Sequence, residues 1–168
     1  MSKAQERLRH ELAGLLPRLR RFGRLLTRHR EDADDLVQIA VERALLRADQ
    51  WQPGTHLDSW LFRIMQNAWV DELRSRRRRD DLFAPEEVGE HVGVHPQDAQ
   101  IDALAVRQAV GQLSEDHRVV VGLVLVEGLH YKDAAAVLDI PIGTLTSRLA
   151  RAREALQALL GADPRPST

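Results

Sequence analysis

Near the C-terminus, arginines alternate with hydroxyl and small side chains in a pattern suited to binding nucleic acid. The outer face of a helix predicted over 142–160 carries Thr144, Thr146, Ser147, Arg148, Ala150, Arg151 and Arg153. Arginine binds guanine edges through two hydrogen bonds, hydroxyls and arginines hold phosphates, and small residues allow close approach. Such a face is typical of a helix that enters the DNA major groove.

The elements around this helix predict a helix-turn-helix. An alanine-rich helix is predicted over 130–138, and Asp139-Ile140-Pro141 interrupts it. Asp139 stands where the turn needs a left-handed backbone, which aspartate tolerates better than most residues. The inner face of the second helix is apolar, and it comprises Ile142, Leu145, Leu149, Ala152 and Leu156. Two short helices joined by a tight turn match the motif.

A second basic stripe lies on the helix predicted over 57–79. Arg63, Asn67, Arg74 and Arg78 share one side, and the other sides are apolar. All three tryptophans, Trp51, Trp60 and Trp69, occur within 19 residues of one another. Stacked rings beside arginines suit single-stranded nucleic acid, although tryptophans taken alone more often fill a core. The combination favours a nucleic-acid surface.

The helix predicted over 31–49 carries the opposite charge. One broad face holds Glu31, Asp34, Asp35, Gln38, Glu42 and Asp49. The helix dipole accounts for acidic residues in the first turn only. An acidic face cannot serve DNA, so it suggests a basic protein partner.

The net charge of −1 over 168 residues is therefore a near-cancellation. Residues 1–30 carry +7, 31–59 carry −5, 60–79 carry +4, 80–116 carry −8 and 117–168 carry +1. The chain contains no cysteine, which excludes disulfides and thiolate metal sites. It shows neither a signal peptide nor an apolar run of about 20 residues, so we expect a cytoplasmic protein.

Apolar spacings of three and four predict an all-α chain of two small helical domains joined by an acidic linker. Pro17 predicts a break between helices 3–15 and 18–29. Further helices are predicted over 98–112 and 115–127. The expected domains are 1–79 and 98–161, with a linker over 80–97 and a frayed tail over 162–168.

Three blocks in this order resemble the extracytoplasmic-function (ECF) sigma factors of bacterial RNA polymerase, within the sigma-70 family. They are Asp34-Asp35-Leu36-Val37-Gln38, then Trp60-Leu61-Phe62-Arg63-Ile64-Met65-Gln66-Asn67, then Gly143 to Arg153. The resemblance covers nearly the whole chain. It implies sigma region 2 over the first domain and sigma region 4 over the second.

The resemblance also implies partners for particular residues. Asp34, Asp35, Leu36, Gln38 and Glu42 would bind core polymerase. The unpaired −10 strand would contact Trp51, Thr55, His56, Arg63, Asn67, Asp71 and Arg74. The outer face of helix 142–160 would contact the −35 duplex, with Arg148 and Arg153 on phosphates or supporting the fold. An anti-sigma factor is a further implied partner, and no membrane insertion is expected.

Two other classes of function remain open from the residues. A free-standing helix-turn-helix regulator would account for residues 130–153 but not for the acidic face or the tryptophans. A metalloenzyme would have to use histidines such as His91 and His95, which lie in the linker without a third ligand nearby. We expect no enzyme activity, no metal and no cofactor.

Overall fold

The computed structural model describes residues 1–81 and 101–161, and all regular structure in these ranges is helical. The chain divides into two compact units. The first is built on α1 (Lys3–Thr27), α2 (Arg30–Leu46) and α3 (Leu57–Asp80). The second holds α4 (Ile101–Gln112), α5 (Glu115–Val121), most of α6 (Tyr131–Leu138) and α7 (Ile142–Gly161). The predicted all-α class is confirmed.

The predicted break at Pro17 is wrong, because α1 runs through that residue without interruption. Proline removes the hydrogen bond that its N–H would give to the carbonyl of Ala13. Both residues lie on the exposed side of α1, where water can satisfy that carbonyl. The buried side continues in register past Pro17 and comprises Leu8, Leu12, Leu19, Phe22 and Leu26. Packing of this continuous face outweighs the lost bond.

Helix α1 packs against α2 and α3 to form the core of the first unit. A Cβ atom at Gly23 would lie 3.2 Å from the carbonyl oxygen of Ala33, so the glycine allows α1 and α2 to approach closely. Phe22 meets Phe62 edge to face, with ring centroids 4.9 Å apart. Arg18 lies over the Phe62 ring and binds the Asp58 carboxylate at 3.1 Å, which ties α1 to the first turns of α3.

The predicted helix 31–49 ends earlier than expected. Helix α2 stops at Leu46, and a 3₁₀ turn follows over Ala48–Gln50. Asp49 therefore lies in that turn and does not extend the acidic face of α2. The turn packs against α1 through buried Ala48, and a loop from Trp51 to His56 leads into α3.

In the second unit, α5 and α4 pack against α7. Ser114 begins α5, and its side chain accepts a hydrogen bond from the backbone N–H of His117. The predicted helix 115–127 changes at Val121, after which Gly122–Val126 forms a π-helical turn. Gly128, with φ of 71°, then reverses the chain direction.

The predicted turn of the helix-turn-helix is confirmed in its backbone. Asp139 has φ of 53°, in the left-handed region, and the N–H of Ile140 donates to the carbonyl of Ala135. Helix α7 then begins with N–H groups of Thr144 and Leu145 bonding to the Pro141 carbonyl. The predicted burial of Ile142 is wrong: its position before the first full turn of α7 leaves it 53% exposed.

Several sequence predictions lie outside the described residues. They are most of the linker over 80–97, the start of the helix predicted from residue 98, the tail over 162–168, and the histidines His91 and His95.

Candidate functional site

Helix α7 presents two sharply different sides. Leu145, Leu149 and Ala152 are buried against the second unit, with at most 2% of each exposed. The opposite side is open to solvent and comprises Thr146, Ser147, Ala150, Arg151 and Arg153. Two further residues, Thr144 and Arg148, are half-buried at its edges. The structure thus brings the residues predicted to contact the −35 duplex onto one surface of α7, with Thr144 and Arg148 at its edges.

The hydrogen bonds of this surface limit what each side chain can offer. Thr146 already donates its hydroxyl to the carbonyl of Ile142 at 2.9 Å, so it can act on DNA as an acceptor or through its methyl group. Arg151 and Arg153 make no hydrogen bond or ion pair with the described residues. Their guanidinium groups are therefore available to an outside partner.

In the first unit, α3 carries a continuous polar stripe. Arg63, Asn67 and Arg74 are all exposed along one side, as predicted from the spacing. Asp71 is also exposed, and its carboxylate lies 3.8 Å from the guanidinium of Arg43 on α2. The guanidinium of Arg43 thus offsets the negative charge of Asp71 beside the arginines of the stripe.

The three tryptophans are not equally exposed, and Trp51, which was predicted to contact the −10 strand, is buried. Trp51 is 6% exposed and Trp69 also 6% exposed, so both rings belong to the core. Burying such a large apolar ring is more favourable than leaving it open. Trp60 is half-buried and lies three residues before Arg63, on the side of α3 that carries the stripe. Sequence reasoning placed Trp51 in the site and omitted Trp60.

The loop before α3 is short and ordered by its own hydrogen bonds. The Thr55 hydroxyl donates to the carbonyl of Gln52 at 2.6 Å, and Gly54 adopts φ of 90°. Thr55 and His56 are exposed, whereas Trp51 at the start of the loop is buried. The loop leads directly into α3. We name the exposed stripe of α3 (Arg63, Asn67 and Arg74), together with this loop, the strand surface.

The arginine run at the end of α3 is not uniform. Arg76 binds Asp32 on α2 at 3.0 Å and Glu72 at 3.1 Å, and it lies over the Trp69 ring at 5.3 Å. The hydrogen bond to Asp32 raises the pKa of Arg76 above its ordinary value. Arg79 also binds Glu72, at 3.2 Å. Arg76 therefore joins α3 to α2 and supports the fold, whereas the ion pair of Arg79 lies within α3 and is exposed.

The rest of the run faces outward. Arg77 and Arg78 join Asp71 and Arg74 around a depression of about 530 Å³. Neither Arg77 nor Arg78 has an ion-pair partner among the described residues. The guanidinium groups of Arg77 and Arg78 extend the positive charge of the strand surface beyond Arg74.

Helix α2 exposes its predicted acidic face. Asp34, Asp35, Gln38 and Glu42 are all exposed, whereas Leu36 is 4% exposed and anchors the helix in the core. Two exposed apolar residues on the same side were missed: Ile39 is 39% exposed and Leu46 is 80% exposed. Ile39 follows Asp35 by four residues, so helical spacing could have placed it there.

Within residues 1–81 and 101–161, no group of three or more histidine, aspartate or glutamate side chains is placed to hold a metal ion. None of the described helices is long and apolar enough to cross a membrane.

Comparison with known proteins relates both units to one family. Residues 12–66 match the model described as the Sigma2 domain of PhyR, and residues 103–156 match Sigma-70, region 4. The ECF RNA polymerase sigma factor EcfG of Rhodopseudomonas palustris is 38% identical over 157 residues, covering 93% of this chain and 86% of that protein. SigM of Mycobacterium tuberculosis is 38% identical over 144 residues, covering 85% and 71%.

Solved structures give the same relationship. The sigma factor RpoE of Bartonella quintana, in complex with the anti-sigma factor NepR, superposes with a TM-score of 0.84 at 34% identity. The similarity covers 94% of this chain and 99% of that one. CnrH in complex with the cytosolic domain of CnrY gives a TM-score of 0.68 at 27% identity, covering 95% and 90%. The chain belongs to the ECF sigma factors of RNA polymerase, whose members are non-catalytic transcription initiation factors.

Proposed function

We propose that this chain binds core RNA polymerase, directs it to specific promoters and captures the unpaired −10 strand. Residues 1–79 would supply polymerase binding and −10 recognition as sigma region 2. Residues 98–161 would supply −35 recognition as sigma region 4. Each assignment follows from a different exposed surface of the described residues.

The observation that carries the proposal is the strand surface of α3, with Arg63, Asn67 and Arg74 exposed along one side. It belongs to the first unit, whereas α7, the second helix of the helix-turn-helix, belongs to the second. A free-standing helix-turn-helix regulator needs only the outer face of α7. A factor that holds both duplex and single-stranded DNA needs the outer face of α7 and the strand surface.

Recognition of the −35 duplex would depend on the outer face of α7. Arg151 can hydrogen-bond a guanine through its N7 and O6 atoms, and Ser147 lies one turn before it on the same face. Ala150 leaves room for the helix to approach the bases. Arg148 and Arg153, at the edges, are placed for phosphates, which position the helix without reading sequence.

Strand capture would depend on stacking and charge. Removing a base from the duplex stack costs a few kcal/mol, and stacking on an aromatic ring returns about 1–3 kcal/mol per base. Trp60 is the half-buried indole beside the stripe, and Thr55 and His56 are exposed in the loop before α3. Arg63 and Arg74 would hold the backbone, and Asn67 can hydrogen-bond a base edge.

Binding of core polymerase would use the acidic face of α2. Asp35 and Glu42 carry the charge, and exposed Ile39 and Leu46 add apolar area beside them. A mixed surface of this kind fits a partner helix with basic and apolar side chains. Since the similar RpoE was solved with the anti-sigma factor NepR, we also propose control by an anti-sigma factor.

An electrophoretic mobility experiment separates this proposal from the alternative of a free regulator. We expect the chain alone to bind promoter duplex weakly and the mixture with core polymerase to bind it specifically. Replacing Asn67 with alanine should weaken binding of a promoter with a premelted −10 strand more than binding of the −35 duplex. Tight and specific duplex binding without polymerase would contradict the proposal.

A further inference from the structure

An exposed apolar row runs along the first half of α7. It consists of Ile142, Thr146 and Ala150, which follow one another at intervals of four residues. Side chains four residues apart on a helix are neighbours, with about 5–6 Å between their Cβ atoms. Ile142 is 53% exposed, and Thr146 and Ala150 are exposed as well. The three side chains therefore form one continuous strip that is open to solvent.

The hydrogen bond of Thr146 makes this side chain part of the apolar row. Its hydroxyl donates to the carbonyl of Ile142 at 2.9 Å, so the only proton of the hydroxyl is used within the helix. The bond holds the hydroxyl against the preceding turn. The γ-methyl group is on the other branch of the same Cβ atom and remains available to a partner.

The notch between two neighbouring side chains of the row has the size of a methyl group. Apolar carbon atoms are in contact at about 4 Å, so one methyl group can touch both members of a pair whose Cβ atoms are about 6 Å apart. Among the four DNA bases, thymine alone presents a methyl group in the major groove, and alanine and the methyl group of threonine are its usual apolar partners.

The surroundings of the row favour DNA as its occupant. Residues 142–153 contain three arginines and no acidic residue, which gives this part of α7 a charge of +3. Ser147 and Arg151 lie directly beside Thr146 and Ala150 and are exposed. The first turns of the second helix in a helix-turn-helix contact base edges, and phosphates on both sides of the groove supply the negative charge that arginines need.

We propose that Ile142, Thr146 and Ala150 recognise thymine methyl groups in the −35 duplex. This inference rests on the proposed recognition of the −35 element by α7 and adds the base that the apolar row reads. Ser147 and Arg151 form a parallel row one residue further along the helix. Since about 6 Å along the groove corresponds to about two base pairs, the −35 element should contain a T·A pair within about two base pairs of the guanine bound by Arg151.

Replacement of thymine by deoxyuridine tests the proposal, because it removes only the methyl group. The complex of the full chain with core polymerase first selects its preferred duplex from a pool randomised over the −35 region. Each thymine of the selected element is then replaced in turn, and the affinity is measured by fluorescence anisotropy. We expect an affinity about fourfold lower at one or two positions near the guanine, which corresponds to one buried methyl group.

Two substitutions at Thr146 separate the methyl group from the hydroxyl. Thr146→Ser keeps the hydroxyl and should abolish the difference between thymine and deoxyuridine, whereas Thr146→Val keeps a methyl group and should retain the difference. Ile142→Ser should also reduce the difference. The matched control is Val126→Ser, which removes a β-branched side chain that is 44% exposed and lies outside α7, and it should change nothing.

Dependence on the methyl group decides the outcome. Loss of the thymine preference in Thr146→Ser, together with its retention in Thr146→Val, supports the proposal. Retention in Thr146→Ser, or loss in Thr146→Val, would overturn it, because the contact would then belong to the hydroxyl or to neither group.

The wild-type complex separates this inference from the proposed function. Equal affinity for thymine and deoxyuridine at every position, or a selected −35 element without thymine near the guanine, overturns the inference, and a preference for other bases leaves −35 recognition intact. Absence of any base preference over the −35 region contradicts the proposed function and this inference together.

Discussion

Replacing Arg151 with alanine is expected to weaken recognition of the −35 element in a sequence-dependent way. Arg151 is exposed on α7 and has no intramolecular ion pair among the described residues, so its removal breaks no contact of the fold. Exposed substitutions of this kind change the free energy of unfolding by about 0.5 kcal/mol or less. The loss should therefore be almost entirely a loss of binding.

The size of the loss follows from the contact that Arg151 can make. A bidentate hydrogen bond to guanine contributes about 1–3 kcal/mol of discrimination against other bases. At about 1.4 kcal/mol per tenfold change, this is about 5- to 150-fold in affinity for the preferred −35 sequence. At one base pair the preference for guanine should nearly disappear.

Arg153 provides the matched control, because it is exposed on the same helix at the edge of the same face. If it holds a phosphate, Arg153→Ala should weaken binding to all sequences by a similar factor and reduce the salt slope by about 1. The assay is fluorescence anisotropy of the polymerase complex on duplexes in which each −35 base pair is varied in turn, at several salt concentrations. Uniform loss for Arg151→Ala across all duplexes, or no loss, would refute the assignment of Arg151 to base recognition.

Three further predictions concern the first unit. Asp35→Arg should abolish binding of core polymerase in a pull-down while the circular dichroism spectrum stays unchanged. The control Glu11→Arg, at an exposed position of α1, should still bind. Binding by both variants would show that Asp35 is not in the interface. Gly23→Leu should lower the free energy of unfolding by about 1–3 kcal/mol in urea unfolding, because a side chain at this position meets Ala33. Gly14→Leu should not, because the space around Gly14 is open. Arg76→Ala should lower the free energy of unfolding by about 1–2 kcal/mol, because it removes two ion pairs and the contact with the Trp69 ring. Arg77→Ala should leave the free energy of unfolding unchanged and weaken DNA binding. Equal changes in stability for the two variants would contradict the division of the arginine run.

Helical spacing was sufficient to predict the buried and exposed sides of α3 and most of those of α7. On α3, the residues expected to be apolar, such as Leu61, Phe62 and Met65, are fully buried, and Arg63 and Asn67 are exposed. On α7 the periodicity of a regular helix of 20 residues predicts which side is exposed, although Thr144 and Arg148 at the edges of that side are half-buried. The left-handed Asp139 was also predictable, because the turn permits few residue types.

The remaining features depend on tertiary contacts that spacing does not report. Pro17 lies within α1 because the helix is packed along its buried face and is exposed to solvent at the proline. Spacing does not distinguish Trp51 from Trp60, yet tertiary packing buries Trp51 and leaves Trp60 half-buried. Arg76 and Arg77 are adjacent, yet only Arg76 reaches Asp32 across 44 residues of chain.

The most direct test of the account is transcription from genomic DNA by purified core RNA polymerase with and without this chain, with the 5′ ends of the transcripts sequenced. The account predicts a discrete set of chain-dependent start sites that share one −35 and one −10 sequence. It also predicts that Arg151→Ala changes use of those sites according to the −35 base pair, while Asp35→Arg abolishes them all. Absence of chain-dependent start sites, together with tight binding of duplex DNA by the chain alone, would contradict it.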